Sequence, residues 1–307
     1  MIIPAEFEKL KHSIAGAIAG GVSSVVTCPL DVVKTRLQNQ GKISLDHRPG
    51  VPLYHGTGSA LKRIWLEEGI QGLYRGLGPT MYGYLPTWAI YFSAYDYFKL
   101  ALSENADKRL DDNQWVVHIL AAMGAGATST VATNPLWVIK TRFMTQNHMT
   151  SYRYKNTIHA FATIYAHEGI KGFYKGLGPS LMGVSHVAVQ FPLYEKMKVW
   201  LKSPDQEHLS NLSILSASSA SKMAASLATY PHEVVRTRLQ NQTVKPFKYK
   251  GVWNAIKLIN QEEGLMAFYK GMSTNLLRTV PSSALTILIY EILIRKLNST
   301  SPSSSDK

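Results

Sequence analysis

The 307-residue chain holds a single cysteine, Cys28, so it can form neither an intrachain disulfide nor a cysteine-rich zinc module. Charged residues are scarce at 17%, below the roughly 25% of ordinary soluble proteins, while hydrophobic residues reach 45%. A chain this apolar is not disordered except at its ends. Acids are the scarcest charges: 20 Asp and Glu face 33 Lys and Arg, a formal net charge of +13. That balance suits nucleic acid, an anionic membrane or an anionic substrate. No cleavable secretory signal is visible, because Glu6 and Glu8 precede any apolar run. There is no GKS or GKT phosphate loop, and neither Gly76-Leu-Gly78 nor Gly176-Leu-Gly178 has a third glycine in dinucleotide-binding spacing. No His, Cys and acid cluster has metal-ligand spacing, so catalysis by a nucleotide-using enzyme is disfavoured. Mean hydropathy is −0.07, low for a polytopic membrane protein, and leaves the class open.

Repeats organise the chain. Pro29-Leu-Asp31-Val-Val-Lys34-Thr-Arg36 recurs as Pro135-Leu-Trp137-Val-Ile-Lys140-Thr-Arg142 and again as Pro231-His-Glu233-Val-Val-Arg236-Thr-Arg238. Three further markers keep the same interval. They are Glu-Gly at Gly69, Gly169 and Gly264, Tyr-[Arg/Lys]-Gly at Gly76, Gly176 and Gly271, and an aromatic-acid pair at Asp96, Glu195 and Glu291. Four markers in register define a threefold repeat of about 100 residues. We place the repeats at 9–101, 112–202 and 210–299, with a Ser-rich, disordered tail at 300–307.

Each repeat reads as two long helices joined by a loop. Stretches rich in Gly, Ala, Ser and Val precede the prolines (13–28, 116–134, 212–230), and apolar stretches follow the Tyr-[Arg/Lys]-Gly marks (77–98, 177–197, 272–293). Each is about 20 residues, enough to cross a bilayer core. The three long loops are basic: the first carries Lys42, Arg48, Lys62, Arg63 and Arg75 against Asp46, Glu67 and Glu68. The two short loops lack that excess, which puts the long loops on one face and both termini on the other. The expected fold is an all-α membrane protein with six transmembrane helices. A soluble helical solenoid binding nucleic acid would explain the repeat, but it would spread Lys and Arg over one face; here they recur at helix ends.

Ionisable residues inside spanning helices are costly and mark pathways. Asp31 and Lys34, like Glu233 and Arg236, are three apart and share a helix face. Trp137 replaces the acid in the middle repeat, leaving Lys140 without a local counterpart. Three such helices around an axis can pair the acid of one with the base of the next and close one end of a cavity. At the other end, Asp96 with Lys99 and Glu195 with Lys198 have the same spacing, whereas Glu291 has Ile294 at the basic position. Two rings of charge at opposite ends suit two gates for alternating access; the plainer alternative is static pairing between helices.

Together these motifs resemble the mitochondrial carrier family, over roughly residues 9–300. The resemblance implies pseudo-threefold symmetry around a central cavity, short matrix-surface helices, long loops in the matrix and termini in the intermembrane space. It implies a matrix gate of Asp31, Lys34, Lys140, Glu233 and Arg236, braced by Gln38 and Gln240, with Met144 in place of a third glutamine. It implies a cytoplasmic gate of Asp96, Lys99, Glu195, Lys198 and Glu291. Between the gates, Arg278 lies about 20 Å along its helix from Glu291, and Lys222 about 16 Å from Glu233, so two cations meet at mid-depth and suit a pyrophosphate. Trp88 offers a stacking face, His186 and Gln190 can read base edges or ribose, and Gly83 and Gly183 leave space. The sequences around these residues look like the mitochondrial NAD carriers. Folate/FAD carriers share the Trp and His positions, and pyrimidine-nucleotide carriers typically have a basic residue in place of Trp88. The expectation is exchange of NAD⁺ for a matrix nucleotide across the inner mitochondrial membrane by a monomer in contact with bilayer lipid such as cardiolipin. Neither cofactor, metal nor nucleic acid enters it.

Overall fold

The computed structural model describes residues 5–41, 54–104, 114–147, 153–201, 211–243 and 247–299, and every regular element among them is helical. The expected tail at 300–307 lies outside the described residues. The first repeat holds α1 (Ala5–Asn39), α2 (Thr57–Leu73) and α3 (Leu77–Glu104). The second holds α4 (Gln114–Thr145), α5 (Thr157–Glu168), α6 (Ile170–Phe173), α7 (Leu177–Met182) and α8 (Ser185–Leu201). The third holds α9 (Asn211–Thr229), α10 (Pro231–Gln240), α11 (Val252–Glu263), a 3₁₀ turn at Leu265–Tyr269 and α12 (Met272–Ser299).

Proline acts differently in the three copies. Pro29 and Pro135 lie inside continuous helices, while Pro231 opens a new one after a break at Tyr230. A proline has no N–H to donate, so the preceding turn must loosen or part at that point. In the third copy it parts, and α10 starts with proline at its first turn, where no donor is lost.

Packing closes a ring. Between repeats α3 lies along α4 and α8 along α9, and the ring closes where the last helix, α12, lies along the first, α1. Each repeat has a buried core at the long-loop end. Val32, Val33 and Leu37 pack on Ala60, Ile64 and Leu73; Ile139 packs with Ala160, Ile164 and Phe173; Val235 and Leu239 pack on Ala255, Ile259 and Phe268. In each, the half-helix after the proline is held against its loop helix by apolar area removed from water.

Two segments among the described residues are long and apolar enough to cross a membrane, Val116–Thr145 and Leu265–Leu297, each with mean hydropathy 1.4. The other long helices fall short of the six expected spans on this measure. Their polar face is the reason: α1 carries Asp31, Lys34 and Arg36 beside a Gly- and Ser-rich stripe, and α3 carries Asp96 and Lys99.

Candidate functional site

At the long-loop end the post-proline helices converge on a cavity of about 320 Å³. Its lining includes Asp31, Lys34, Gln38, Trp137, Lys140, Met144, Glu233, Arg236, Gln240 and Arg278. Two ion pairs cross between repeats there. Lys34 Nζ lies 2.6 Å from Glu233 Oε2, and Lys140 Nζ lies 2.8 Å from Asp31 Oδ2. The shared helix face of acid and base thus produces the expected head-to-tail pairing, α1 with α10 and α4 with α1.

The third contact is missing. Trp137 faces Arg236's side of the ring with no carboxylate, and Arg236 forms no ion pair among the described residues. The indole Nε1 donates to Thr133 Oγ1 at 3.1 Å, and the ring lies 5.0 Å from Lys140 Nζ. The tryptophan therefore supports Lys140 from below as a cation–π partner and does not stack on Arg236.

The glutamines follow the same asymmetry. Gln38 Nε2 donates to Glu233 Oε2 at 3.1 Å and to the Tyr230 hydroxyl at 2.9 Å, while its Oε1 accepts from Thr237 at 3.0 Å. Gln240 Oε1 accepts from Thr141 at 2.7 Å, but its buried Nε2 finds no acceptor. At the third position Met144 offers only a thioether, which accepts from Thr35 Oγ1 at 3.5 Å.

Outside this ring lies a second set of charges that reading the repeat had not paired. Arg36 binds Glu68 through two nitrogens, Arg142 binds Glu168 (2.5 and 2.9 Å), and Arg238 binds Glu263 in the same two-pronged way. Arg75, Lys175 and Lys270 approach the same carboxylates at 3.1, 2.6 and 2.6 Å. Each arginine also reaches the helix end of the next repeat. Arg36 Nε donates to Met144 O at 2.9 Å, Arg142 Nε to Gln240 O at 3.0 Å and Arg238 Nε to Gln38 O at 3.2 Å. The last carbonyls of a helix have no partner within it, so these clamps satisfy them and lock the three repeats in a circle. Gly76, Gly176 and Gly271 make the approach possible: at φ of 88°, 75° and 81°, a Cβ would meet the carbonyls of Lys140, Arg236 and Lys34 at 3.3, 3.1 and 3.0 Å.

These carboxylates lie on the loop side, and their acidity records the clamps. Burial alone would raise Glu168, yet hydrogen bonds and charge from Arg142 and Lys175 hold it below the ordinary 4.5; Arg238 and Lys270 do the same for Glu263. The signal for the clamps was in the sequence, since Glu-Gly and the second base of the proline motif recur together. A repeat shows that residues are equivalent, though, and not that they touch.

At the opposite end, the acids Glu195 and Glu291 pair only within their own helices among the described residues. Glu195 meets Lys198 at 2.8 Å and Glu291 meets Arg295 at 3.5 Å, each within its own helix. Asp96 and Lys99 are exposed and form no ion pair among the described residues. The expected second ring is therefore apart.

Of the residues expected at mid-depth, Arg278 lines the cavity, with its Nε 3.7 Å from Asp31 Oδ1 and without a hydrogen-bond partner. Lys222 and Trp88 are exposed; Trp88 stacks on Phe92 at 5.5 Å. His186 sits 3.1 Å from Thr229 Oγ1, one turn before Gln190. A Cβ on Gly83 would make an ordinary 3.7 Å contact with Leu136, whereas one on Gly183 would come 2.7 Å from His232 Nε2, so Gly183 permits close helix packing.

Three proline-kinked units, closed in a circle around a charged cavity, define a class. A family model described as mitochondrial carrier protein matches residues 6–106, 111–205 and 207–301, and the chain belongs to this family. It is similar to nicotinamide adenine dinucleotide transporter 2, mitochondrial, of Arabidopsis thaliana: 45% identical over 92% of this chain and 78% of the relative. Transporter 1, chloroplastic, of the same plant is 45% identical over 96% of this chain and 94% of its own length. The mitochondrial nicotinamide adenine dinucleotide transporter 1 of Saccharomyces cerevisiae is 43% identical over 94% and 78%.

Proposed function

We propose that this chain exchanges NAD⁺ for matrix nucleotides by alternating access, with the cavity open toward the intermembrane space in this structure. It is a transporter of the mitochondrial inner membrane and not an enzyme. The long helices α1, α3, α4, α7 with α8, α9 with α10, and α12 make six spans with pseudo-threefold symmetry. The observation that carries the reading is the contrast between the ends: interhelical pairs at Lys34–Glu233 and Lys140–Asp31, and only intrahelical pairs at Glu195 and Glu291. A permanent double plug would block transport, so a bundle closed at one end and parted at the other fits one state of a two-gate cycle. Asp31, Lys34, Lys140, Glu233, Arg236, Gln38 and Gln240 form the matrix gate; Asp96, Lys99, Glu195, Lys198 and Glu291 assemble the other when the first opens.

Cargo enters above the gate. Arg278 and Lys222 hold the pyrophosphate, Trp88 stacks on a ring, and His186 and Gln190 read the sugar or base. Arg278 is already drawn toward Asp31, and a phosphate that engages it competes with that gate acid. Binding energy is then best used if it is greatest in the occluded intermediate, where both gates are part-formed. NAD⁺ is substrate here, no cofactor is needed, and the unit is a monomer surrounded by bilayer lipid, cardiolipin included. In liposomes carrying the purified protein, labelled NAD⁺ is taken up, and Arg278→Ala lowers uptake about ten- to a hundredfold, the worth of one charge-assisted contact. Uptake of FAD or folate with none of NAD⁺ would overturn the substrate assignment.

A further inference from the structure

We propose that Arg236 and Gln240 form a phosphoryl-anion site in the floor of the cavity, where a bound oxyanion takes the place of the gate's missing carboxylate. Six charged side chains line that floor: Lys34, Lys140, Arg236 and Arg278 against Asp31 and Glu233. The two acids are taken. Glu233, three residues before Arg236 on α10, is turned to Lys34, and Asp31 is held by Lys140 with Arg278 beside it. Trp137 stands where α1 and α10 carry their acids, and its ring lies against Lys140. Among the described residues the Arg236 guanidinium forms no ion pair, hydrogen bond or aromatic contact, and the acid whose charge it feels, Glu233 on its own helix, is bonded to Lys34.

A second unpartnered donor lies on the same helix face one turn on. Gln240 is fully buried, its Oε1 is occupied by Thr141, and its Nε2 has no acceptor. A guanidinium offers five N–H donors in a planar fork and a primary amide two more, all seeking oxygen. Donors left without acceptors in a partly enclosed site are costly, and a tetrahedral oxyanion answers both groups at once. The site differs from the one built on Arg278, which leans toward Asp31. Its ligand is a phosphoryl group, either on a mononucleotide passing through the cavity or as free inorganic phosphate. Bound there, it completes the third contact of the closed ring.

The test is thermal unfolding of the full chain in detergent, with inorganic phosphate or AMP titrated against chloride at constant ionic strength. The wild-type midpoint is expected to rise by a few degrees. Arg236→Gln removes the cation and Trp137→Asp supplies an internal carboxylate; both are expected to abolish the rise, and Trp137→Asp also raises the midpoint without added anion. Arg278→Ala is expected to keep the phosphate response. A response to AMP but not to phosphate assigns the site to cargo; a response to both assigns it to a free oxyanion. No rise in the wild type, an equal rise in Arg236→Gln and Trp137→Asp, or its loss in Arg278→Ala overturns the proposal. No NAD⁺ is involved, so failure of NAD⁺ exchange in liposomes would count against the transport reading alone.

Discussion

The protein carries two nested rings of charge at its long-loop end, and they differ in completeness. The outer clamps, Arg36–Glu68, Arg142–Glu168 and Arg238–Glu263, are present in all three repeats, with arginine and glutamate side chains each at most 8% exposed. The inner ring has two pairs out of three, and those four side chains are 10–29% exposed to the cavity. A buried, doubly bonded pair is hard to part, because separating it strands a charge away from water. A pair on a cavity wall can exchange its partner for water or cargo. The outer ring is thus the harder of the two to part, and the inner ring the easier.

The strongest way to break that contrast is to cut the outer ring. Arg238→Ala leaves Glu263 buried with only Lys270 beside it and strips two carbonyl contacts, one from Gln38 in α1 and one from Gln40 just beyond it. A loss of about 3–5 kcal/mol is expected, read as a collapse of the melting temperature in detergent. An outer-ring variant that melted like the wild type would put the clamps on the moving side of the cycle.

The inner ring should respond the other way. Trp137→Asp gives Arg236 a partner and makes the ring symmetric. Stability is expected to rise by about 1 kcal/mol and NAD⁺ turnover to fall severalfold if gate opening is limiting. Unchanged melting together with unchanged turnover would show that the third contact carries no load. At the parted end, Glu291→Ala removes only an exposed intrahelical pair, and melting is expected to move by less than about 0.5 kcal/mol.

Acid sharpens the comparison more gently. Glu168 and Glu263 have carboxyls held below the ordinary 4.5, so their clamps contribute stability that is complete above about that pH and is lost as pH falls through the lower folded value. Melting should be flat from neutrality down to about pH 5 and then decline. A Glu168→Gln variant should begin lower and decline less steeply.

How much of this was legible before the fold? The inner ring was, because Asp31/Lys34 and Glu233/Arg236 sit three apart on one helix face and recur at fixed intervals. The gap at Trp137 could be read off by comparing repeats. The clamps could not be paired, since Arg36 and Glu68 lie 32 positions apart and only the loop helix brings them together. Spacing alone could not say whether Gly83 and Gly183 serve cargo or helix packing; the structure adds that a side chain at Gly183 would run into His232, whereas one at Gly83 would make an ordinary contact with Leu136. Hydropathy picks out two of the six expected spans among the described residues, and the helix faces that line the cavity are polar.

Charge exchange within the inner ring tests most directly whether it is a gate. Lys34→Asp and Glu233→Lys would each be made alone and together, and initial NAD⁺ uptake measured in liposomes at matched protein insertion. Each single change sets like charges facing each other where a pair now stands 2.6 Å apart and should cut uptake sharply; the double exchange restores an opposite pair and should recover a substantial part. A double variant no better than either single would contradict a gate built on this contact.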